Sequence, residues 1–429
     1  MNRASLLSVL MAGPALLPLP AQAPPAAVKP EALGFDAARL ARLPRVMQGF
    51  VERKELPGLV LLVVRDGRTV VHRALGSQDL EGKQPMRPDT IFRIASMSKP
   101  VTSVAVLILV EEGKVRLDDP LSKYIPEFKG AQVVVPGKDG EEPRLVKAAR
   151  EITIRDLLTH RSGISYGFGG DGPVQRAYRK LEVTDGLDAG ITLAENMARL
   201  AQAPLVHEPG KAFHYGLGTD VLGRVVEVVS GQGLDGFLRS RIFAPLKMKD
   251  TGFTVPADKL SRLAEVSTSA EGSGLRPMKD PESFGFVRLA PGDIRKEGKK
   301  YLSGGAGLAS TAADYARFCR MLLNRGALDG ARILAPKTVD LLTASATHDL
   351  PFINSGHEFG LGVGVLVDLG ASGKLGTPGL FSWGGIYGTT FWVDPKERLV
   401  AVLMAQRYPF AGHDWIGMFR TQVYQALVR

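Results

Sequence analysis

Residues 94–113 read IASMSKPVTSVAVLILVEEG and carry the most informative pattern in the chain. Ser96 and Lys99 are three residues apart, and on a helix this spacing places two side chains on one face, about one turn apart. Pro100 suits the first turn of a helix, and the almost wholly apolar run that follows it ends at Gly113, a favoured helix terminator. The stretch therefore predicts a buried helix with a serine and a lysine at its N-terminus.

The pairing of Ser96 with Lys99 can be interpreted as catalytic or as purely structural. A serine hydroxyl becomes a nucleophile when a neighbouring group takes its proton, and a partly desolvated lysine can have its pKa lowered enough to share that task. Exposed amides at a helix N-terminus also favour negative charge there. The same residues fit an ordinary N-cap serine beside a solvated lysine, and the spacing alone leaves both interpretations open.

Composition describes a soluble globular chain. It has 429 residues, of which 45% are hydrophobic and 23% charged. The net charge of +10 is spread along the chain with acidic residues between the basic ones, so it indicates a solvated surface rather than nucleic-acid binding. No apolar run has the length needed for stable insertion into a membrane.

The N-terminus has the pattern of an export signal. Arg3 is followed by a short apolar stretch, and Ala21-Gln22-Ala23 has the small-x-small form of a cleavage site. We therefore predict a signal peptide at 1–23, a linker at 24–34, and a periplasmic or secreted protein, although Pro24 directly after the cut is unfavourable for a signal peptidase.

Cysteine and histidine usage gives no metal site. Cys319 is the only cysteine, which excludes an intramolecular disulfide, and its apolar helical context predicts a buried, inert thiol. His207 and His214 lack the spacing of known metal-binding helices. We expect neither a metal nor another cofactor.

Both ends of the chain predict strands, whereas the middle is rich in helix. Two β-branched runs joined by the hairpin dipeptide Asp66-Gly67 follow an N-terminal helix. The predicted helices are Asp36–Lys54 and Asp414–Val428, and the predicted strands are Gly58–Arg65, Thr69–Leu75, Gly360–Asp368, Thr389–Val393 and Leu399–Ala405. This order predicts an α+β fold with one antiparallel sheet built from both chain ends and a helical insert over roughly 112–304. Within that insert, 129–150 predicts an exposed hairpin or loop with 137–140 at its tip, and 267–300 predicts a long mobile loop near the mouth of a site.

A second serine motif must be weighed against Ser96. Gly163-Ile164-Ser165-Tyr166-Gly167 matches G-x-S-x-G, but that motif requires a strand before it and a helix after it. Here a helical segment precedes it and a glycine-rich loop follows, and none of the histidines stands downstream in an evident triad setting. We therefore interpret Ser165 as a chance match.

Two further segments could complete a site around Ser96. Tyr215 lies at a loop-to-helix junction, and a phenol beside a lysine ammonium is favoured as phenolate. Trp383-Gly384-Gly385 opens a strand whose glycines let a substrate lie against the backbone, with Trp383 as a wall, and a following amide could pair with that of Ser96 as an oxyanion hole.

Taken in order, these segments resemble the serine β-lactamase and penicillin-binding-protein superfamily, and most closely the family VIII carboxylesterases. The resemblance covers most of the chain after Leu33. The matching segments are 94–99, 154–163, 215–217, 245–248, 307–311 and 383–385. It implies a β-lactamase-like fold with an α/β sandwich domain (35–112 and 304–429), a helical domain (113–303) and the active site between them.

The resemblance also implies roles. Ser96 would be the acylated nucleophile, Lys99 and Tyr215 the base system, and the amides of Ser96 and Ile386 the oxyanion hole. Trp383, Gly384, Gly385 and Leu217 would contact the substrate.

Two departures from the β-lactamase pattern bear on the substrate. Leu217 replaces the asparagine that holds an acylamide group, and Trp383 replaces the lysine or histidine that helps to hold a carboxylate. Lys374-Leu375-Gly376 superficially resembles the missing K-T-G, but we reject it because it lies in a loop before the strand. Losing these polar and ionic contacts weakens carboxylated amides most and neutral esters least.

We therefore predict a secreted serine hydrolase that cleaves small or short-chain carboxylic esters through an acyl-enzyme. A D-amino-acid peptidase or amidase, or a weak β-lactamase, is the alternative within the same chemistry. A non-catalytic cell-wall-binding relative is the alternative of another class.

Overall fold

The computed structural model describes residues 29–137, 142–186, 190–271, 274–348, 355–410 and 412–429. The predicted signal peptide and part of the linker lie outside these residues, as does most of the predicted loop tip at 137–140. Within them, the structure has the antiparallel sheet that the two chain ends predict.

The strands fall near both termini and, as short pairs, in the middle. They are β1 (Gly58–Arg65), β2 (Arg68–Gly76), β3 (Phe92–Arg93), β4 (Gln132–Val135), β5 (Arg144–Lys147), β6 (Ser267–Ser269), β7 (Leu275–Pro277), β8 (Glu282–Phe284), β9 (Val287–Leu289), β10 (Ala309–Ser310), β11 (Ala327–Leu328), β12 (Ala331–Arg332), β13 (His357–Phe359), β14 (Gly364–Leu366), β15 (Phe381–Gly385), β16 (Thr389–Asp394) and β17 (Leu399–Ala405).

The helices surround the sheet and fill the middle of the chain. They are α1 (Ala37–Leu40), α2 (Arg42–Glu52), α3 (Ser98–Glu111), α4 (Ile154–Leu158), α5 (Pro173–Lys180), α6 (Leu193–Leu200), α7 (Gly218–Ser230), α8 (Leu234–Leu238), α9 (Ala312–Leu323), α10 (Pro336–Thr343), α11 (Leu369–Ser372) and α12 (Trp415–Tyr424).

The main sheet joins the two ends of the chain. Within the described residues it has seven strands in the order β13-β14-β15-β16-β17-β1-β2. C-terminal β17 pairs antiparallel with N-terminal β1, from Leu59 opposite Ala405 to Arg65 opposite Leu399. Asp66 and Gly67 have φ of 50° and 72°, as the tight turn between β1 and β2 requires. The sheet predicted from both chain ends is therefore confirmed.

Both faces of this sheet are buried, which explains why its central strands are apolar without alternation. Val60, Leu62 and Val64 of β1 pack into the core that contains α3, α7 and α9. Leu59, Leu61 and Val63 face the opposite core, formed with α2 and α12. The first core supports the candidate site, because α3 carries Lys99 and α7 begins just after Tyr215.

Two predicted segments differ from the structure. The single strand predicted at Gly360–Asp368 is wrong: β13 ends at Phe359, and β14 begins at Gly364. Gly362 has φ of 102°, a conformation that favours glycine and turns the chain between the two strands.

The long loop predicted at 267–300 is also wrong in its structure. It forms the hairpins β6–β7 and β8–β9 and a 3-10 helix at Pro291–Arg295. Two of the glycines that suggested an irregular loop, Gly274 and Gly285, lie in the hairpin connections and have positive φ. The middle of the chain thus contains short hairpins as well as α4–α8, and the exact domain limits stay a prediction.

Candidate active site

Ser96 lies on a tight turn at the start of α3. A 3-10 helix at Ala95–Met97 runs directly into α3, and Ala95 has φ of 42°, a left-handed conformation that is costly for a residue with a Cβ. Ala95 and Met97 are buried, whereas Ser96 is half-buried and lines a cavity. The strained turn therefore turns the Ser96 hydroxyl out of the core.

Lys99 is fully buried and points back at Ser96. Its Nζ lies 3.1 Å from Oγ of Ser96, 3.0 Å from the hydroxyl oxygen of Tyr166 and 2.9 Å from the carbonyl oxygen of Gly305. The alternative of a solvated lysine beside an ordinary N-cap serine does not describe this geometry.

The three contacts of Lys99 can be made by its amino group in either charge state. The Gly305 carbonyl can only accept, so one N–H is committed to it in either charge state. An ammonium fills the other two contacts by donating to Ser96 and Tyr166. A neutral amine donates to one of these hydroxyls and accepts from the other. The same geometry therefore accommodates a lysine that gives or takes the Ser96 proton.

Tyr215 also lies beside the lysine. Its ring centroid is 4.6 Å from Nζ of Lys99, within cation–π range. The ring packs 4.6 Å from His160 and 5.7 Å from Trp383, measured between centroids. The structure thus brings Ser96, Lys99 and Tyr215 together, although they come from separate parts of the chain.

His160 supports this cluster as a neutral group. Its ring packs against Phe213, Tyr215 and Phe359, and its carbonyl accepts the amide proton of His214 at 2.7 Å. Burial lowers the pKa of His160 well below its usual range, and the nearby Lys99 charge acts in the same direction. The imidazole therefore adds no positive charge next to Lys99.

The predicted oxyanion hole occupies the junction between β15 and the nucleophile turn. Gly385 ends β15 directly against Ile94, and a Cβ at Gly385 would clash with the Ile94 carbonyl oxygen. Ile386 follows in the turn that the Gly388 amide closes with a 2.9 Å bond to the Gly385 carbonyl. Ser96 and Ile386 line the same cavity. Their roles as oxyanion donors stay a prediction.

The cavity is mainly apolar and has a volume of about 460 Å³. Trp383, Gly384 and Gly385 line it as predicted, together with Phe168 and residues of the β8–β9 hairpin. Leu217 does not line it. This residue is fully buried as the N-cap of α7 and packs in the core, so its predicted contact with substrate has no structural support.

The other two candidates from the sequence lie outside the catalytic cluster. Ser165 is buried, with its Oγ 2.9 Å from Nε2 of His214 and 2.9 Å from Nε2 of Gln175, and it does not line the cavity. Lys374 lies between α11 and β15, in the loop where the sequence placed it, although its side chain reaches the cavity wall.

Two residues near Lys99 were missed from the sequence. Tyr166 follows the rejected Ser165 and supplies a hydroxyl to Lys99, and burial raises the pKa of this phenol well above its usual range, so it remains protonated. Asp220 is buried near Lys99 in the first turn of α7. Only the position of Asp220 five residues after Tyr215 could have drawn attention to it.

Over the described ranges, no group of three or more His, Cys, Asp or Glu side chains is arranged to hold a metal ion. Among the helices described, none has the length and apolar character needed to cross a membrane.

Comparison with known proteins places this geometry in a family. The sequence model described as Beta-lactamase matches residues 43–418. The chain belongs to the beta-lactamase family. Protein Rv1367c of Mycobacterium tuberculosis is 37% identical over 82% of this chain and 86% of its own length. Esterase EstB of Burkholderia gladioli is 36% identical over 88% of this chain and 93% of its own length.

A solved structure agrees with the sequence relatives. EstCE1, described as a hydrolase with promiscuous acyltransferase activity, superposes with a TM-score of 0.78 at 32% identity, covering 90% of this chain and 99% of its own. This member of the beta-lactamase family is therefore a serine hydrolase of the esterase-like branch, as the resemblance implied.

Proposed function

We propose that the chain is an exported carboxylesterase that cleaves small or short-chain esters through an acyl-enzyme on Ser96. The observation that carries this proposal is the contact of 3.1 Å between Nζ of buried Lys99 and Oγ of Ser96 at the wall of an apolar cavity. A cavity of about 460 Å³ suits a small ester. EstB and EstCE1 are named as an esterase and a hydrolase, which supports the same reaction.

In the proposed reaction, Lys99 and Tyr215 take the proton of Ser96 as its Oγ attacks the ester carbonyl. The amides of Ser96 and Ile386 stabilise the oxyanion that forms. The proton then passes to the departing alcohol, and a water molecule deprotonated by the same groups hydrolyses the acyl-serine. The sequence of steps regenerates Ser96 and releases one carboxylic acid and one alcohol.

The residue at position 383 supports the proposal of a neutral substrate. In place of a lysine or histidine, β15 presents Trp383, whose ring lies 5.1 Å from Phe359 and 5.7 Å from Tyr215 between centroids. An aromatic wall provides contact area without an ionic partner for a carboxylate. Neutral esters should therefore be turned over faster than carboxylated amides.

A covalent probe and a substrate panel test the proposal together. The wild-type enzyme and the Ser96→Ala and Ser165→Ala variants are treated with a fluorophosphonate and assayed with p-nitrophenyl butyrate. Labelling and turnover should disappear only in Ser96→Ala. Persistent labelling of Ser96→Ala, or loss of labelling in Ser165→Ala alone, would contradict the assignment.

The panel also separates the alternatives. Nitrocefin and a D-Ala-D-Ala peptide report lactamase and peptidase activity, and faster turnover of either than of the butyrate ester would favour that reaction instead. A folded wild-type protein that neither reacts with the probe nor cleaves any substrate would favour a binding protein. Export is tested by N-terminal sequencing of the mature protein, since a chain that begins at Met1 would oppose it.

A further inference from the structure

Asp220 lies beside the catalytic lysine in a way that the proposed reaction does not yet use. It is the third residue of α7, and its side chain is 1% exposed. A Cβ built at Gly305 would stand 2.5 Å from Oδ2 of Asp220 and 3.5 Å from Nζ of Lys99. The carboxylate and the amine therefore approach the same point on the backbone, where the Gly305 carbonyl also binds the amine.

Burial and the neighbours of Asp220 act on its charge in opposite directions. Burial is the largest influence and raises the pKa of this carboxyl above its usual value, whereas the Ser303 hydroxyl and the Lys99 charge act to lower it. The amide dipoles at the start of α7 also favour negative charge. Tyr166, Tyr301 and the half-buried Asp185 are titratable groups near this site: burial and, after it, the Asp220 charge raise the pKa of each.

Among the groups placed around Lys99 in the described residues, Asp220 supplies a carboxyl on which the Lys99 charge acts. These groups also include the hydroxyl of Ser96, the phenols of Tyr166 and Tyr215, and the imidazole of His160. A buried ammonium is costly unless an opposite charge compensates it. Asp220 is placed to provide that compensation from a different helix than the one that carries Lys99.

We propose that Asp220 is a positioning residue whose carboxylate provides the buried counter-charge for Lys99 and sets the pH range in which the amine can accept the Ser96 proton. This inference rests on the proposed function, because it concerns the same serine–lysine pair. An ionised Asp220 favours the ammonium and so raises the pH at which Lys99 becomes a base. Neutralising it should make the amine available at lower pH.

The test compares pH profiles in matched variants. In Asp220→Asn, the acid limb of kcat/KM for p-nitrophenyl butyrate, and of the second-order rate of fluorophosphonate inactivation, should move to lower pH by roughly 1–3 units. Asp314→Asn is the control. Like Asp220, Asp314 is buried, is the third residue of its helix (α9) and has a pKa raised by burial. Unlike Asp220, its carboxyl accepts hydrogen bonds from the Asp250 amide and the Thr251 hydroxyl and does not face Lys99.

The outcomes separate this inference from the proposed function. An acid limb that moves to lower pH in Asp220→Asn but not in Asp314→Asn supports the role of Asp220. An unmoved limb in a folded Asp220→Asn enzyme overturns it, whatever the rate at the plateau. If that variant does not fold, Ser303→Ala replaces it. That variant removes a hydroxyl that favours the ionised carboxyl, and it should move the limb in the same direction by a smaller amount. A wild-type enzyme without esterase activity or labelling would instead refute the proposed function.

Discussion

Replacing Gly385 by alanine should slow ester turnover far more than the same change at Gly384. A Cβ at Gly385 would clash with the carbonyl oxygen of Ile94 and with Oγ1 of Thr389, and would lie 3.2 Å from the carbonyl carbon of Ile94. Ordinary contacts between carbon and carbonyl oxygen begin at about 3.3 Å, so β15 and the nucleophile turn must separate by roughly 1 Å. A displacement of that size between reacting groups can cost about 100-fold in rate.

The neighbouring glycine provides the matched comparison. A Cβ at Gly384 would lie 3.1 Å from the Thr389 carbonyl and clear of Ile94, so it leaves the spacing between β15 and Ser96 largely intact. Both variants are assayed for kcat/KM with p-nitrophenyl butyrate and for thermal midpoint. The expected result is a loss of roughly 100-fold for Gly385→Ala and a clearly smaller one for Gly384→Ala. Equal losses, or a Gly385→Ala enzyme with wild-type activity, would refute the reasoning.

Three further predictions follow from buried groups. Tyr166→Phe removes a hydrogen-bond acceptor of Nζ of Lys99, worth about 1.5–3 kcal/mol. The value of kcat/KM in steady-state kinetics should therefore fall by roughly 10- to 100-fold. A wild-type rate in this variant would show that the hydroxyl is dispensable. Burial raises the pKa of Asp185 from 3.8 to about 6, so the folded protein binds this proton more tightly than the unfolded chain. The resulting stabilisation, about 3 kcal/mol, is complete below pH 4 and is lost as the pH rises through 6. Urea unfolding of the wild-type protein should show this pH dependence, and urea unfolding of Asp185→Asn should not. Burial also raises the pKa of the Cys319 thiol, so a disulfide reagent should react with it only after denaturation, and rapid reaction with the native enzyme would contradict its burial.

The sequence predicted those parts of the site that depend on local spacing. Ser96 and Lys99 share one helical start, so a step of three residues was enough to place amine and hydroxyl together. The sheet was equally predictable from the sequence, because β1 and β17 are long apolar runs and Asp66-Gly67 specifies a tight turn. The loop-to-helix junction made Tyr215 a candidate, and the resemblance then implied its role beside Ser96 and Lys99.

The missed residues reach the site through tertiary packing. Tyr166 and Asp220 approach Lys99 from two segments that are remote in sequence. Tyr166 lies inside the rejected G-x-S-x-G match, whose spacing does not connect it with Lys99, and Asp220 belongs to no such motif. Leu217 illustrates the opposite error. Its position in the tyrosine motif suggested contact with substrate, but the start of α7 turns this apolar side chain into the core.

The aromatic wall and the buried charges together divide the site into two chemical regions. Around Nζ of Lys99, the hydroxyls of Ser96 and Tyr166 and the carbonyl of Gly305 lie at hydrogen-bond distance, which is what proton transfer requires. Trp383 faces the other region, where Tyr215 and Phe359 surround it with rings. A cation at position 383 would have to be desolvated among those rings close to the Lys99 charge, at a cost that a neutral indole avoids. The replacement of a cation by tryptophan therefore does more than remove a substrate contact, because it also avoids the cost of burying a second positive charge near that of Lys99.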